Sequence, residues 1–327
     1  MRGLARDRRF SVTVLVVGAG ALGSVFGCLL KDSGHEVGLL EPSSRLDDVR
    51  ELGLTVSGLF GEHCRREFAL YSSAEDVPAD YYDLVLMTVK SFHTEEAARQ
   101  AAPKVGQGAL VVSLQNGLGN YEAIRDQVGE KHALAGRVIF GAQFVGRARV
   151  EVTVYAEPVM IGSPTNAVDS APVKRIAEAF SEAGIPTEAT LEISKYLWAK
   201  MLYNCALNPL SAMLNVPYGK LLETQATRNL MRQIVGEVFL AARAHEIELF
   251  WDKPTDYVDL LFGKLIPDTA AHLASMAQDL QAGRGTEIEA LNGAIVRMGE
   301  HKGVECPVNG ALSELVRAAH HSFSTSA

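Results

Sequence analysis

SVTVLVVGAGALGSVFGCLLKDSGHEVGLLE, residues 11–41, is the stretch that decides the fold. Ser11–Val17 is a continuous β-branched and apolar run, the composition of a central parallel strand covered on both faces. Ala21–Asp32 reads as a helix stopped by Ser33-Gly34, and Glu36–Leu40 as a second strand. Together they form a βαβ unit of the usual length, about thirty residues. Between the first strand and the helix, Gly18-Ala19-Gly20-Ala21-Leu22-Gly23 fits GxGxxG in the position that dinucleotide binding requires. Gly18 permits a tight turn, Gly20 lets the backbone approach a pyrophosphate, and Gly23 allows close helix–strand packing. The helix N-terminus adds N–H donors and a partial positive charge for the phosphates. The loop alone serves either a nicotinamide cofactor or FAD.

Glu41 closes the second strand, where an acidic side chain commonly accepts from the ribose hydroxyls of NAD and repels the 2′-phosphate of NADP. Pro42-Ser43-Ser44-Arg45 follows at once, and its two hydroxyls and guanidinium can cradle that same phosphate. The two signals conflict. NADP is the expected cofactor, with NAD as the alternative.

Working outward, Leu84–Thr88 and Ala109–Ser113 read as further strands around a helical stretch, Thr94–Ala102. Strand–helix alternation predicts an α/β domain with a doubly wound, Rossmann-type sheet. Lys90 and Asn116 follow those two strands, at the sheet edge where ligands bind, and are candidate cofactor contacts. Strand-like runs between Leu134 and Ile161 suggest a mixed sheet edge or a small β layer, and Ala171–Ala183 one more helix. Beyond residue 190 the apolar residues recur at helical spacing, as in Ile193, Leu197 and Met201, which predicts an all-α domain. The expected organisation is a basic extension over 1–10, a dinucleotide-binding domain over 11–190 and a helical substrate domain over 191–327. Leu249–Pro267 reads as a connection between helices, and His320-His321 as an unstructured tail.

A chain of 327 residues with 47% hydrophobic and 21% charged residues suits two globular domains. The formal charge of −8 argues against a nucleic-acid partner. No apolar run approaches the roughly 18–20 residues that span a bilayer, so no membrane partner is expected. Four scattered cysteines without CxxC pairing predict reduced thiols in a cytoplasmic protein and no zinc site. HExxH, a P-loop and GxSxG are all missing from the sequence, so metal, NTP and serine hydrolysis lack their parts.

Two stretches of the second half carry chemistry. In KYLWAKMLYNCALNPLSAMLNVPYGK, residues 195–220, Lys200, Asn204 and Asn208 stand at i, i+4 and i+8, one polar ridge on an otherwise apolar helix. Pro209 frees the carbonyl of Cys205, so the ridge is expected to end at a kink. In the second stretch, Thr286 and Glu289 have capping-box spacing, which places Glu287 at a helix start. By spacing alone, Glu287 merely decorates that start.

Taken in order, GAGALG at 18–23, VKS at 89–91, QNGLGN at 115–120, KxxxNxxxNP at 200–209 and SMxQDxxxGRxTEI at 275–288 resemble the ketopantoate reductase family over nearly the whole chain. The resemblance implies a Rossmann domain, a helical C-terminal domain and an active site in the cleft between them. It implies reduction of 2-dehydropantoate to (R)-pantoate, usually with NADPH, on the route to pantothenate and coenzyme A. It further implies that Lys200 is the catalytic lysine, Glu287 the active-site glutamate, Asn204 and Asn208 substrate-pocket amides, and Ser275 the serine that holds the substrate carboxylate. Lys90 and Asn116 match cofactor-contacting positions. Two places depart from the family pattern, Tyr218 and His272, where bulkier rings replace pocket asparagines. These rings and Glu41 keep an alternative open, an NAD-dependent D-2-hydroxyacid dehydrogenase for another 2-oxo acid. A non-catalytic nicotinamide-binding regulator is the remaining alternative, and a homodimer is compatible with the long apolar helical faces.

Overall fold

Residues 11–41 and 44–324 are described by the computed structural model. The basic extension expected over residues 1–10 and the Pro42-Ser43 pair lie outside them. The chain divides into two units, residues 1–115 with 120–193, and residues 116–119 with 194–327.

The first unit is built on an eight-stranded sheet. Its strands are β1 (Thr13–Val17), β2 (Glu36–Leu40), β5 (Ala69–Tyr71), β6 (Leu84–Met87), β7 (Leu110–Ser113), β8 (Ala133–Arg137), β11 (Val159–Gly162) and β12 (Thr187–Ala189), in the order β12-β11-β8-β7-β6-β1-β2-β5. All neighbours run parallel except β8 and β11. After β1 the chain adds β2 on one side and later β6 on the other, so the strand order reverses at β1. The helices of this unit are α1 (Ala21–Asp32), α2 (Arg45–Leu52), α3 (Thr94–Ala101), α4 (Asn120–Val128) and α5 (Ser170–Glu182).

Both expectations for residues 134–161 are met, because β11 forms the mixed edge while a separate β layer also exists. That layer comprises β3 (Leu54–Gly58), β4 (His63–Arg65), β9 (Phe140–Gly146) and β10 (Arg149–Tyr155), ordered β4-β3-β10-β9. It explains why α1 is apolar all round. Val25, Phe26, Cys28, Leu29 and Leu30 are all fully buried, as in a helix covered on every side. The Cys28 thiol donates to Leu54 O of β3 at 3.3 Å. On the side of the large sheet, a Cβ on Gly27 would stand 3.1 Å from Leu39 of β2. Phe26 also meets Phe180 of α5, ring centroids 5.1 Å apart.

The second unit is helical: α6 (Ile193–Leu214), α7 (Gln225–Ala244), α8 (Pro254–Leu260), α9 (Ile266–Asp268), α10 (Ser275–Gln281), α11 (Asn292–Lys302) and α12 (Pro307–Ser324). Trp198, Met201, Leu202 and Cys205 of α6 share one core with Ile234 and Val238 of α7, Ile295 of α11 and Val316 of α12.

Helix α6 runs through Pro209 to Leu214, and the Cys205 carbonyl that Pro209 frees accepts from Asn292 Nδ2 at 3.1 Å. Three expectations need correction here. The stretch 249–267 is not a mere connection, since α8, a π-helical turn Leu261–Leu265 and α9 fill most of it. His320 and His321 lie within α12, whose apolar series Leu312, Val316 holds that helix on the core. No capping box forms at Thr286. Glu287 instead precedes a short 3-10 turn, Ile288–Ala290, with no side-chain cap, and Glu289 turns to Arg317 at 2.6 Å and Arg297 at 3.3 Å. Those guanidiniums hold its carboxyl below the usual range, the Arg317 hydrogen bond most of all.

Candidate active site

The strand order reverses at the carboxyl end of β1, the place where open α/β sheets bind ligands. There the backbone turns through Gly18, φ +97°, and a Cβ at that position would lie 2.7 Å from the Val89 nitrogen. At Gly23 a Cβ would lie 2.1 Å from Gly18 O and 2.5 Å from Thr88 Oγ1. Thr88 Oγ1 itself donates to Gly18 O at 2.6 Å, which fixes the loop against β6. A Cβ on Gly20, by contrast, would meet nothing within 4 Å. The loop is thus closed toward the protein at Gly18 and Gly23 and open at Gly20. Gly20 precedes α1 without any side-chain cap, so Ala21, Leu22 and Gly23 begin a helix whose N-terminal dipole faces that open side. These residues fit a dinucleotide pyrophosphate.

Glu41 reaches back into this loop, where its Oε2 accepts from the Ala19 N–H at 2.8 Å. The same oxygen pairs with Arg45 Nη1 at 3.2 Å. Arg45 in turn lies over the Phe144 ring, 5.2 Å from its centroid. The acidic and basic residues that gave conflicting cofactor signals are therefore partners, and the guanidinium offsets the charge of the carboxylate.

Lys90, half-buried, follows β6 and leads into a 3-10 turn, Ser91–His93. The neighbouring strand end is held by a residue the sequence analysis did not single out. Gln115 Nε2 donates to Val89 O at 2.9 Å and to Thr94 Oγ1 at 2.6 Å, and its Oε1 accepts from Ser113. Thr94 passes the chain on to Asn120 Oδ1 at 2.7 Å. The QN pair in QNGLGN was the available signal, and only its second member was read.

In the helical unit, residues 116–119 meet the turn before α11. Asn116 Nδ2 donates to Glu287 Oε2 at 3.1 Å, and Leu118 N to Ala290 O at 2.8 Å. A Cβ on Gly117, φ +88°, would stand 2.5 Å from Ala290, so the approach needs glycine. Glu287 is only 8% exposed.

Helix α6 carries Lys200, Asn204 and Asn208 one turn apart. Lys200 is half-buried, while Asn204 and Asn208 are 7% and 4% exposed. Asn208 Oδ1 accepts from the Tyr218 hydroxyl at 2.6 Å. Asn204 has no hydrogen-bond partner among the described residues, nor does Asn208 Nδ2, and neither is among the fully occluded atoms. Buried amides with open capacity are costly unless something fills it. Tyr218 is buried and stands near His272, ring centroids 5.2 Å apart, and near Tyr203 at 5.7 Å. Burial raises the Tyr218 phenol well above its ordinary pKa and lowers that of His272, so the first stays protonated and the second neutral. Ser275 opens α10 three residues beyond His272, exposed and without a hydrogen bond among the described residues. Among the described residues no group of three or more His, Cys, Asp or Glu is placed to hold a metal, and no helix is long and apolar enough to cross a membrane.

Comparison with known proteins bears on this arrangement. The family described as ketopantoate reductase PanE/ApbA matches residues 14–166, and its C-terminal counterpart matches residues 192–320. The 2-dehydropantoate 2-reductase of Aquifex aeolicus is 38% identical over 304 residues, 93% of this chain and 96% of its own. The PanE/ApbA family ketopantoate reductase of Ralstonia eutropha has a solved structure that is 32% identical, with TM-score 0.84 over 95% of this chain and 99% of that one. D-mandelate dehydrogenase, solved with NADH and anilino(oxo)acetate, is 27% identical with TM-score 0.85 over the same shares.

Proposed function

The chain belongs to the ketopantoate reductase family, and from that membership we propose that it reduces 2-dehydropantoate to (R)-pantoate with NADPH. The observation that carries the proposal is the ridge on α6, a lysine aligned with two buried amides of which only Asn208 Oδ1 has a side-chain partner among the described residues. A bound nicotinamide supplies the hydride. The chain must then orient the ketone, stabilise its developing negative oxygen and deliver a proton. Lys200 does the last two, its ammonium hydrogen-bonding the carbonyl oxygen and passing it a proton. Asn204 and Asn208 hold substrate oxygens, Ser275 takes the carboxylate, and Glu287 anchors a substrate hydroxyl. Gly18 to Gly23 receive the pyrophosphate, with Lys90 and Asn116 as further cofactor contacts. Four free thiols suit the reducing cytoplasm. A homodimer is part of the same proposal, supported by Leu240 and Leu315, which leave apolar surface on α7 and α12.

The preference for NADPH is supported by Arg45, whose guanidinium pairs with Glu41 and offsets the carboxylate that would otherwise repel a 2′-phosphate. Arg45→Ala is expected to raise the KM for NADPH about tenfold, as for loss of a charge-assisted hydrogen bond, and to leave that for NADH unchanged. An equal effect on both cofactors would remove Arg45 from the phosphate site.

The Tyr218–His272 ring pair favours one second reading, a reductase for a bulkier 2-oxo acid using NADH. Initial rates with 2-dehydropantoate and with branched and aromatic 2-oxo acids, each with NADH and NADPH, decide between the two. The highest kcat/KM with 2-dehydropantoate and NADPH supports the first, and a preference for an aromatic 2-oxo acid replaces it with the second.

A further inference from the structure

We propose that Tyr218 is a positioning residue that locks the side-chain amide of Asn208 in one orientation, so that Asn208 faces the substrate as a hydrogen-bond donor only. The inference rests on the reading of α6 as the substrate-binding helix. An asparagine amide presents an acceptor at one end and two donors at the other, and a flip about its last bond exchanges them. A phenol that remains protonated has one proton to give, and Tyr218 gives it to Asn208 Oδ1 at 2.6 Å. The flipped amide would turn Nδ2 toward the hydroxyl and force the phenolic proton to find another acceptor in a buried site.

The ring of Tyr218 is itself fixed. Its backbone N–H donates to His272 O at 3.0 Å, the next residue's N–H donates to Ala270 O at 2.9 Å, and the Tyr203 and His272 rings both lie near it, centroids 5.7 and 5.2 Å away. Tyr203 is tied down by Thr269, oxygen to oxygen 2.7 Å. Asn208 Nδ2 is left with no partner among the described residues, and it belongs to a residue that is nearly but not wholly enclosed. Its complement is an acceptor oxygen of the 2-oxo acid. Asn204, one turn away and without any amide partner among the described residues, keeps both orientations and can donate or accept. The two amides of the ridge therefore differ in kind: Asn208 is set for a carboxylate or carbonyl oxygen, Asn204 for a hydroxyl.

Tyr218→Phe keeps the ring and removes only the hydroxyl. We expect the KM for the 2-oxo acid to rise about tenfold, as for loss of one well-formed hydrogen bond, with kcat within about threefold and the unfolding midpoint lowered by about a few degrees, since Asn208 Oδ1 loses its donor. Asn208→Ala should give a similar rise, and the double variant no more than Asn208→Ala alone, because Tyr218 acts only through that amide. Full additivity, or an unchanged KM in Tyr218→Phe, overturns the proposal. A second measurement needs no substrate. In protein labelled with ¹⁵N-asparagine, the side-chain NH₂ pair lost in Asn208→Ala should shift in Tyr218→Phe, and a pair that stays in place overturns the lock. If the pair shifts but the wild type reduces no 2-oxo acid, the proposed function fails while the lock stands.

Discussion

The helical unit buries two pairs of asparagines, and they are treated in opposite ways. Asn292 and Asn309 are fully buried, and three of their four amide ends are bonded into the fold, Asn292 Oδ1 being left without a partner among the described residues. Asn292 Nδ2 donates to Cys205 O and to Asn309 Oδ1 at 2.9 Å, and Asn309 Nδ2 donates to Glu237 Oε2 at 2.7 Å. Glu237 also accepts from the N–H groups of Val308 and Asn309, closing the N-terminus of α12. Asn204 and Asn208 are buried nearly as deeply, yet of their four amide ends only Asn208 Oδ1 has a partner among the described residues. A buried amide that finds most of its partners inside the protein belongs to the fold, whereas on the proposed reading the open ends of Asn204 and Asn208 serve the substrate.

The largest effect should come from the residue at the head of the ridge. Lys200→Ala is expected to lower kcat at least about a hundredfold, the usual scale for a general acid, while cofactor binding by titration of NADPH fluorescence stays near the wild-type value. Near-normal turnover would remove Lys200 from the chemistry. On the other side of the comparison, Asn309→Ala should destabilise the unit by about 2 kcal/mol, since it removes the acceptor of one Asn292 Nδ2 proton and one of the two donors to Glu237 Oε2 in a fully buried site. Urea unfolding measures this, and the folded fraction should keep its KM. Asn204→Ala should behave in reverse, with stability unchanged within about 0.5 kcal/mol and kcat/KM down about tenfold. A stability loss equal to that of Asn309→Ala would dissolve the distinction between the pairs.

The smallest effect concerns His272. Burial lowers its pKa in the folded state, so the unfolded chain binds the proton more readily. Its contribution to stability is full above the ordinary imidazole value and is lost as pH falls through that value. The unfolding midpoint of the wild type should therefore fall relative to that of His272→Phe as the pH is lowered from about 8 to about 5. A constant gap would show that the ring is not protonated on unfolding.

What the sequence revealed follows the range of the interactions concerned. The βαβ unit and its glycine loop were legible because strand, turn and helix are set by residues within thirty positions of each other. The ridge on α6 was legible from its spacing of four. Of the β layer over α1, the half made by β3 and β4 was not, since His63–Arg65 is polar and three residues long, and only its pairing to Leu54–Val56 makes it a strand. The passage of α6 through Pro209 depends on Asn292, 87 positions away. The absent capping box has the same origin, because Arg317 lies 28 positions from the Glu289 it attracts. Tyr218 stood out as a departure from the family pattern, but that its hydroxyl meets Asn208 required a turn between α6 and α7 that the sequence alone does not place.

The claim that the open amides of α6 belong to the substrate is tested most directly by ligand-induced stabilisation. With NADP bound, the unfolding midpoint is measured with and without saturating pantoate in wild type and in the Asn204→Ala/Asn208→Ala double variant. The account predicts that pantoate raises the midpoint of the wild type and not that of the double variant, whose own midpoint falls only by the loss of the Tyr218–Asn208 hydrogen bond. A double variant that still responds to pantoate as the wild type does would contradict it.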